Sequence, residues 1–200
     1  NKMKNKLFSV LAFVAVIVLL SVCGKFQQAA IESTNVAITA AQEAEVDVYL
    51  ADEFAVLQDS LNSVNAAIEA QKGKLFKNFG DVKEDLSLVQ AQANELASRV
   101  DRKKEEIKDQ AETMLNDIKS VVAENAKLVV RLPRGKEGAA VIEAIKADLA
   151  AVDKTVAEAQ SSFDGGLFMD AFNKVTEAKE KSDSINTEIK DVLTRARIRF

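Results

Sequence analysis

The residue types that most often carry out catalysis are scarce in this chain. Its 200 residues include no His and a single Cys, which excludes the commonest general base, intramolecular disulfides and thiolate zinc sites. The sequence has no Gly-rich phosphate loop and no Ser/His/Asp or Cys/His set. The densest carboxylate group is Glu105, Glu106, Asp109 and Glu112, which a helix would spread around its circumference without loop carbonyls to complete a cation site. We therefore predict a non-enzymatic protein with no catalytic residue, no cofactor and no metal.

The single cysteine ends a pattern that is typical of secretion. A short cationic start is followed by the uncharged run Leu7 to Val22, which is shorter than the roughly 20 residues of a membrane-spanning helix and fits the apolar core of a signal peptide. The run ends in the residues Leu20, Ser21, Val22, Cys23 and Gly24. These resemble the lipobox of bacterial lipoproteins, although Val22 stands where that motif usually has Gly, Ala or Ser. We predict a signal peptide at 1–22 and lipidation of Cys23; the alternative is an uncleaved membrane anchor.

The lipobox resemblance implies a location. It implies a diacylglyceryl thioether and an N-acyl chain such as palmitate on Cys23, enough acyl chains for stable anchoring. Gly24, rather than Asp, implies the outer membrane, with the protein facing the periplasm. Without Lys2, Lys4 and Lys6, the body keeps 24 basic and 31 acidic side chains, a net charge of −7. We expect a membrane contact through the lipid and no nucleic-acid partner, because phosphate binding needs a basic surface.

The spacing of helix breakers and apolar residues predicts an all-α fold. Gly and Pro concentrate near 73–80, 133–138 and 165–166, and a weaker corner lies at 47–52. Five helices follow, at about 27–46, 52–72, 80–131, 137–162 and 167–198. Apolar residues recur at helical spacing in the second helix (Leu57, Leu61, Val64, Ile68) and in the third (Val82, Leu86, Val89, Ala93, Leu96, Val100, then Ile107, Ala111, Met114, Ile118, Val121). The third helix spans about 75 Å if continuous, or bends at 99–109, where Lys103 occupies the seam.

An internal repeat divides the body. The apolar series from Leu57 to Ile68 aligns with Ile145, Leu149, Val152 and Val156 at a constant offset of 88. Glu-Ala-Gln, a Gly corner and Leu-Phe follow in both copies, at 69–76 and 158–168. Each copy is a helical hairpin that needs a neighbour to bury its apolar face. We predict elongated antiparallel hairpins with coiled-coil-like packing: a helical domain at 23–131 and a C-terminal hairpin at 132–200 packed on it.

Aromatic residues and helix breakers lie mostly at the corners, and we predict that the aromatics act as hairpin plugs rather than as a ligand pocket. The corner residues are Tyr49, Phe54, Gly73, Phe76, Phe79, Pro133, Gly135, Gly165, Gly166, Phe168 and Phe172. With the lipobox, their order resembles a family of helical bacterial lipoproteins with tetratricopeptide-like hairpins, over about residues 23–130. The usual Pro of the first corner is replaced by Leu50-Ala51-Asp52. The resemblance implies location and architecture but no activity.

The expected function is that of a lipid-anchored adaptor or spacer that binds another envelope protein, with self-association as a further possibility. Ala93 and Ala111 in the third helix suit close contact with a partner helix. The first alternative is a periplasmic carrier or chaperone for an apolar polypeptide or lipid, and a more distant one is a hydrolase built on carboxylates alone. At the C-terminus, Arg195, Arg197 and Arg199 predict a frayed helix end that contacts anionic lipid or an acidic partner.

Overall fold

The structure is a computed structural model that describes residues 25–72, 74, 78–133 and 138–199. The described part is 90% helical and contains no strand. Its six helices are α1 (Lys25–Glu43), α2 (Val46–Tyr49), α3 (Ala51–Lys72), α4 (Gly80–Val129), α5 (Gly138–Asp164) and α6 (Phe168–Arg195). The predicted all-α fold of helical hairpins is confirmed. The predicted signal peptide and lipobox lie outside the described residues.

The corner expected at 47–52 contains a helix of its own. Glu45 adopts a left-handed conformation with φ of 66° and ends α1, α2 follows over four residues, and only Leu50 separates α2 from α3. The β-branched residues lower helix propensity only slightly. Burial outweighs that cost, since Val46 is 0% and Tyr49 5% exposed.

The described residues form two compact units, and both include part of α4. The first unit comprises the residues up to Asp47 together with Ala51–Ala97, and the second comprises Val48–Leu50 together with residues from Ser98 onward. This division lies inside α4, whereas the sequence suggested one near residue 131. The reason is that α4 runs unbroken for 50 residues and buries apolar side chains on both sides of the division.

The core of the first unit follows the predicted period. The apolar series Leu57, Leu61, Val64 and Ile68 is buried along α3, and the series Val82, Leu86, Val89, Ala93 and Leu96 is buried along α4. Helix α1 adds small residues, Ala37 and Ala41, and the 1% exposed Thr34. The Thr34 hydroxyl lies 2.9 Å from the Ala30 carbonyl oxygen and 3.2 Å from that of Leu86. Small side chains on α1 therefore let it approach α4 closely.

In the second unit, three helices share one core. The second half of α4 packs with α5 and α6 around Leu115, Ile118, Ile145, Leu149, Val152, Val175, Ile189 and Leu193. Met114 and Val121, which belong to the predicted apolar series, are only half-buried; Met114 packs against the core, whereas Leu115 beside it is 2% exposed. Because the phase shifts by one residue after Ala111, the seam continues through Ile118, Asn125 and Val129. The side chain of Lys103 is 38% exposed and does not enter the seam.

The two repeat copies agree in their seams and differ after them. Leu57, Leu61 and Val64 match Ile145, Leu149 and Val152 in burial, but Val156 is only half-buried where Ile68 is 3% exposed. The shared Glu-Ala-Gln does not occupy equivalent positions, since Ala159 is 0% exposed and Ala70 is on the surface. The one-residue slip between the copies turns that tripeptide to a different face.

Two glycines at the corners of the second unit are there for conformational reasons. Gly166 has φ of 76° and ends α5, with its N–H bonded to the Phe163 carbonyl and the Leu167 N–H bonded to that of Ser162. This is the Schellman arrangement, in which glycine avoids a Cβ clash. Gly138 begins α5 against the preceding segment, and a Cβ there would clash with the Pro133 carbonyl oxygen.

The end of α6 is capped, so the predicted frayed helix reaching 198 was wrong. The helix ends at Arg195, Arg197 has φ of 57°, and the N–H groups of Arg197 and Ile198 bond the carbonyls of Thr194 and Leu193. This is a second Schellman motif, and Ile198 packs against the core that contains Leu193. The chain is held by its cap and by an apolar contact after the helix ends.

Candidate functional site

One cluster at the α5–α6 corner brings together a hydroxyl, a carboxylate and an amine. Ser162 Oγ donates to Asp170 Oδ2 at 2.6 Å, and Lys174 Nζ lies 2.6 Å from the same carboxylate oxygen and 3.1 Å from Ser162 Oγ. A lysine that activates a serine lies desolvated in an apolar pocket. Lys174 is instead ion-paired with Asp170, and its side chain is 32% exposed. The cluster ties the end of α5 to the first turn of α6 and has no activated nucleophile.

The aromatic residues of the same corner pack on one another. The rings of Phe163 and Phe168 are 5.3 Å apart at an interplanar angle of 59°, a tilted contact that aromatic pairs favour. Lys108 Nζ lies 5.8 Å from the centre of the Phe168 ring, within cation–π range. The hydrogen bond from Lys108 to Glu105, at 3.1 Å, raises the pKa of the lysine. These contacts favour the hairpin-plug interpretation of the corner.

The corner residues predicted from the sequence differ in burial. Tyr49 and Phe54 are 5% and 4% exposed. Phe79, Phe168 and Phe172 are half-buried, and Pro133, Gly165 and Gly166 are exposed. Gly73, Phe76 and Gly135 lie outside the described residues. Lys104 Nζ lies 5.4 Å from the centre of the Tyr49 ring, so this tyrosine is packed within the second unit.

The acidic group on α4 is engaged in surface ion pairs. Glu105 pairs with Lys108 at 3.1 Å, and Glu106 lies 3.9 Å from Arg102 and 3.6 Å from Lys103. Within the described ranges, no three His, Cys, Asp or Glu side chains are grouped closely enough to hold a metal ion. Exposed pairs of this kind contribute at most about 1 kcal/mol.

A surface groove on the first unit is the best candidate for binding. It has a volume of about 480 Å³, is open to solvent, and lies between α1 and α4. Its lining consists of Ala29, Glu32, Ser33, Val36, Ala37 and Ala40 from α1, with Gln90 and Asn94 from α4. Ser33 Oγ lies 3.4 Å from Gln90 Oε1 across the groove. Except for Glu32, the lining is uncharged and mostly small.

The alanines expected to contact a partner are used inside the protein. Ala93 and Ala111 are both 0% exposed, so they pack against neighbouring helices of their own chain and are inaccessible to another protein. The small residues that do reach the surface are on α1, where Ala29, Ser33 and Ala40 are exposed and Val36 is 64% exposed. Their spacing of four, three and four residues places them on one helix face.

A buried polar network was missed by the sequence reasoning. Asn125, on α4, is 0% exposed; its Nδ2 donates to the carbonyl oxygen of Ser182 at 2.9 Å and lies 3.1 Å from the Ser182 hydroxyl. Asn186 Nδ2 donates to Asn125 Oδ1 at 2.6 Å. At the rim, Glu124 pairs with Lys190 at 2.8 Å, and hydrogen bonds from Lys190 and Asn186 lower the pKa of Glu124. Continuing the seam past Ile118 in steps of four and three would have placed Asn125 in it.

Comparison with known proteins does not link these sites to a known family or function. No protein-family model, curated protein or solved structure matches the chain. Among the described residues, no helix is both long enough and apolar enough to cross a membrane.

Proposed function

We propose that this chain is a lipid-anchored envelope lipoprotein that acts as a non-enzymatic adaptor, binding one helix of another envelope protein in the groove between α1 and α4. The observation that carries the proposal is the exposed face of α1, which places small uncharged side chains at helical spacing along an open groove. The anchor rests on the cationic start, the apolar run and the lipobox-like residues that end in Cys23.

The dimensions of the groove suit a helix. Ala29 to Ala40 covers eleven residue steps, or about 17 Å at 1.5 Å per residue, which matches about three turns of a partner. Small side chains let two helices approach closely, and residues at i, i+3, i+4 and i+7 then contact the partner's apolar face. The half-buried Gln90 and the exposed Asn94 border one side of the groove with their amides. Glu32, the single charge in the lining, favours a partner helix with a Lys or Arg beside its apolar stripe.

Photocrosslinking in intact cells tests the groove directly. A photoreactive amino acid replaces Val36 in the groove, and the control replaces Val56 on α3; these valines are 64% and 62% exposed and lie in the same unit. The adaptor proposal expects one stoichiometric envelope protein crosslinked from position 36 and not from position 56. Equal crosslinking from both positions, or none from position 36, would contradict it.

A charged substitution in the groove tests the same proposal by preventing partner binding. Ala40→Arg introduces a long cation into the lining, whereas Val56→Arg introduces the same side chain at a position outside it. Because both positions are exposed, neither variant is expected to unfold the first unit. We expect Ala40→Arg alone to abolish recovery of the crosslinked protein from position 36.

Metabolic labelling with a fatty-acid analogue tests the anchor separately. The proposal expects label on the wild-type chain and none on Cys23→Ala. It also expects the mature wild-type protein to have a mass that lacks residues 1–22. Undiminished labelling of Cys23→Ala would contradict lipidation, and a mass that includes residues 1–22 would instead favour the uncleaved anchor.

Co-purification of lipid or of many unrelated polypeptides would favour the carrier alternative over the adaptor.

A further inference from the structure

Four arginines gather at one end of the second unit, and we call them the arginine cluster: Arg131, Arg195, Arg197 and Arg199. Arg131 follows α4, whereas the other three end or follow α6. Arg131 Nη2 donates to the carbonyl oxygen of Arg199 at 2.7 Å. Leu132 belongs to the core against which Ile198 packs. Two segments 68 residues apart are thus held together, and both present guanidinium groups.

No carboxylate of the described residues neutralises the arginine cluster. All four side chains are exposed, and none forms an ion pair with another described residue. Asp191 lies one helical turn before Arg195, yet no ion pair joins them. A chain with a net charge of −4 therefore concentrates four positive charges at one end of the second unit, and no described carboxylate pairs with them.

The backbone at Arg197 is a second sign that charge matters here. Its φ of 57° is left-handed, and glycine is the usual residue at this position of a Schellman motif because a Cβ is strained there. Arg195 alone already provides the favourable cation in the last turn of α6. Neither the cap nor the helix dipole requires an arginine at 197.

The surroundings of the cluster favour a lipid surface over other anions. Val130, next to Arg131, is 63% exposed, and Ile198, between two arginines, packs against the core on one side and remains partly exposed. Aliphatic side chains beside cations suit a bilayer interface, where guanidinium groups meet headgroup phosphates and an apolar side chain enters the acyl boundary. A long nucleic acid would extend from the cluster onto an acidic protein surface.

We propose that the arginine cluster binds the phosphate headgroups of an anionic lipid surface. Guanidinium groups form paired hydrogen bonds with phosphate oxygens, and Val130 adds a shallow apolar contact. This contact is separate from the lipid on Cys23 and does not depend on the α1–α4 groove, so its failure would leave the adaptor proposal standing.

Nuclear magnetic resonance of the arginine side chains tests the proposal. The full chain is held in neutral maltoside micelles, and phosphatidylglycerol or phosphatidylcholine is added in parallel titrations. We expect the Nε–Hε signals of the arginine cluster to shift with phosphatidylglycerol only, while those of Arg99 and Arg102 stay constant. Each Arg→Gln change in the cluster should weaken binding about fivefold, from about 1 kcal/mol per charge at an anionic surface. The Arg102→Gln control should leave binding unchanged.

Arg197→Gly separates binding from folding. Glycine relieves the left-handed strain, so we expect a higher unfolding midpoint together with about fivefold weaker binding. Equal shifts with phosphatidylcholine, or unchanged binding by Arg197→Gly, would overturn the proposal. Inorganic phosphate binding as tightly as phosphatidylglycerol would overturn the lipid surface in favour of a free-phosphate site. A larger response to a poly-glutamate peptide would overturn it in favour of an acidic protein partner.

Discussion

Replacing Asn125 by Ala removes the centre of the buried polar network in the second unit. The side chain makes hydrogen-bond contacts with the Ser182 carbonyl, the Ser182 hydroxyl and Asn186. Each hydrogen bond contributes a net of about 1 kcal/mol, so about 3 kcal/mol is lost. Ala gains about 0.5 kcal/mol of helix propensity over Asn. We therefore expect the free energy of unfolding to fall by about 2.5 kcal/mol.

The protein contains its own probe for this measurement. Tyr49 is the only Tyr, Trp is absent, and Tyr49 belongs to the second unit, where it is 5% exposed. Tyrosine fluorescence during urea unfolding therefore reports on that unit even if the two units unfold separately. The matched control is Asn116→Ala, at an exposed position of the same helix and unit, which should gain about 0.5 kcal/mol.

Two further variants define the network. Ser182→Ala combined with Asn125→Ala should lose less than the sum of the single losses, since the two residues share a contact. Asn125→Leu fills the site with an apolar side chain and should lose less than Asn125→Ala, although Ser182, which is 0% exposed, still loses its amide partner. A loss for Asn125→Ala no larger than about 0.5 kcal/mol relative to Asn116→Ala would refute the reasoning, because it would mean that the site is hydrated.

Two other outcomes follow from the fold and its charges. Leu149→Asp puts a charge at an 8% exposed core position and should cost about 4 kcal/mol or more, whereas Ala150→Asp, on the exposed face, should keep native circular dichroism. Glu124 has a pKa below its ordinary 4.5 when folded. Its contribution to stability is therefore present above pH 4.5 and is lost as the pH falls through the folded pKa. Glu124→Gln should have a lower free energy of unfolding than wild type at neutral pH, and the same free energy of unfolding in acid.

Much of the helical fold could be predicted from the sequence because its signals are local. The breakers at 133–138 and 165–166 and the four-three spacing along α3 and the first half of α4 require no knowledge of distant contacts. The end of α6 could not be predicted in this way. Its helix stops at Arg195 because the following residues adopt a left-handed cap and pack Ile198 against the core. Tertiary packing decided that boundary.

The candidate groove was only half predictable. Spacing indicated that helix faces with small residues suit a partner, but it pointed to Ala93 and Ala111, which are 0% exposed. An alanine at a seam position gives the same pattern whether it faces its own chain or another. The surface stripe on α1 became distinct only when Thr34, Ala37 and Ala41 proved to be the buried face of that helix. Burial, which depends on all the helices together, separates the two cases.

The assignment of Val48–Leu50 to the second unit has a consequence for the order of events during synthesis. All parts of the first unit have been made once Ala97 has been translated. At that point Tyr49 and Leu50 still lack their contacts with Lys104 and the later helices. The second core stays incomplete until Ile198 has been translated. At about 5–20 residues per second, roughly a hundred residues separate these points, or about 5–20 seconds. During that interval a nascent chain contains every residue of the first unit, while the apolar corner at Val48–Leu50 still lacks the helices that cover it.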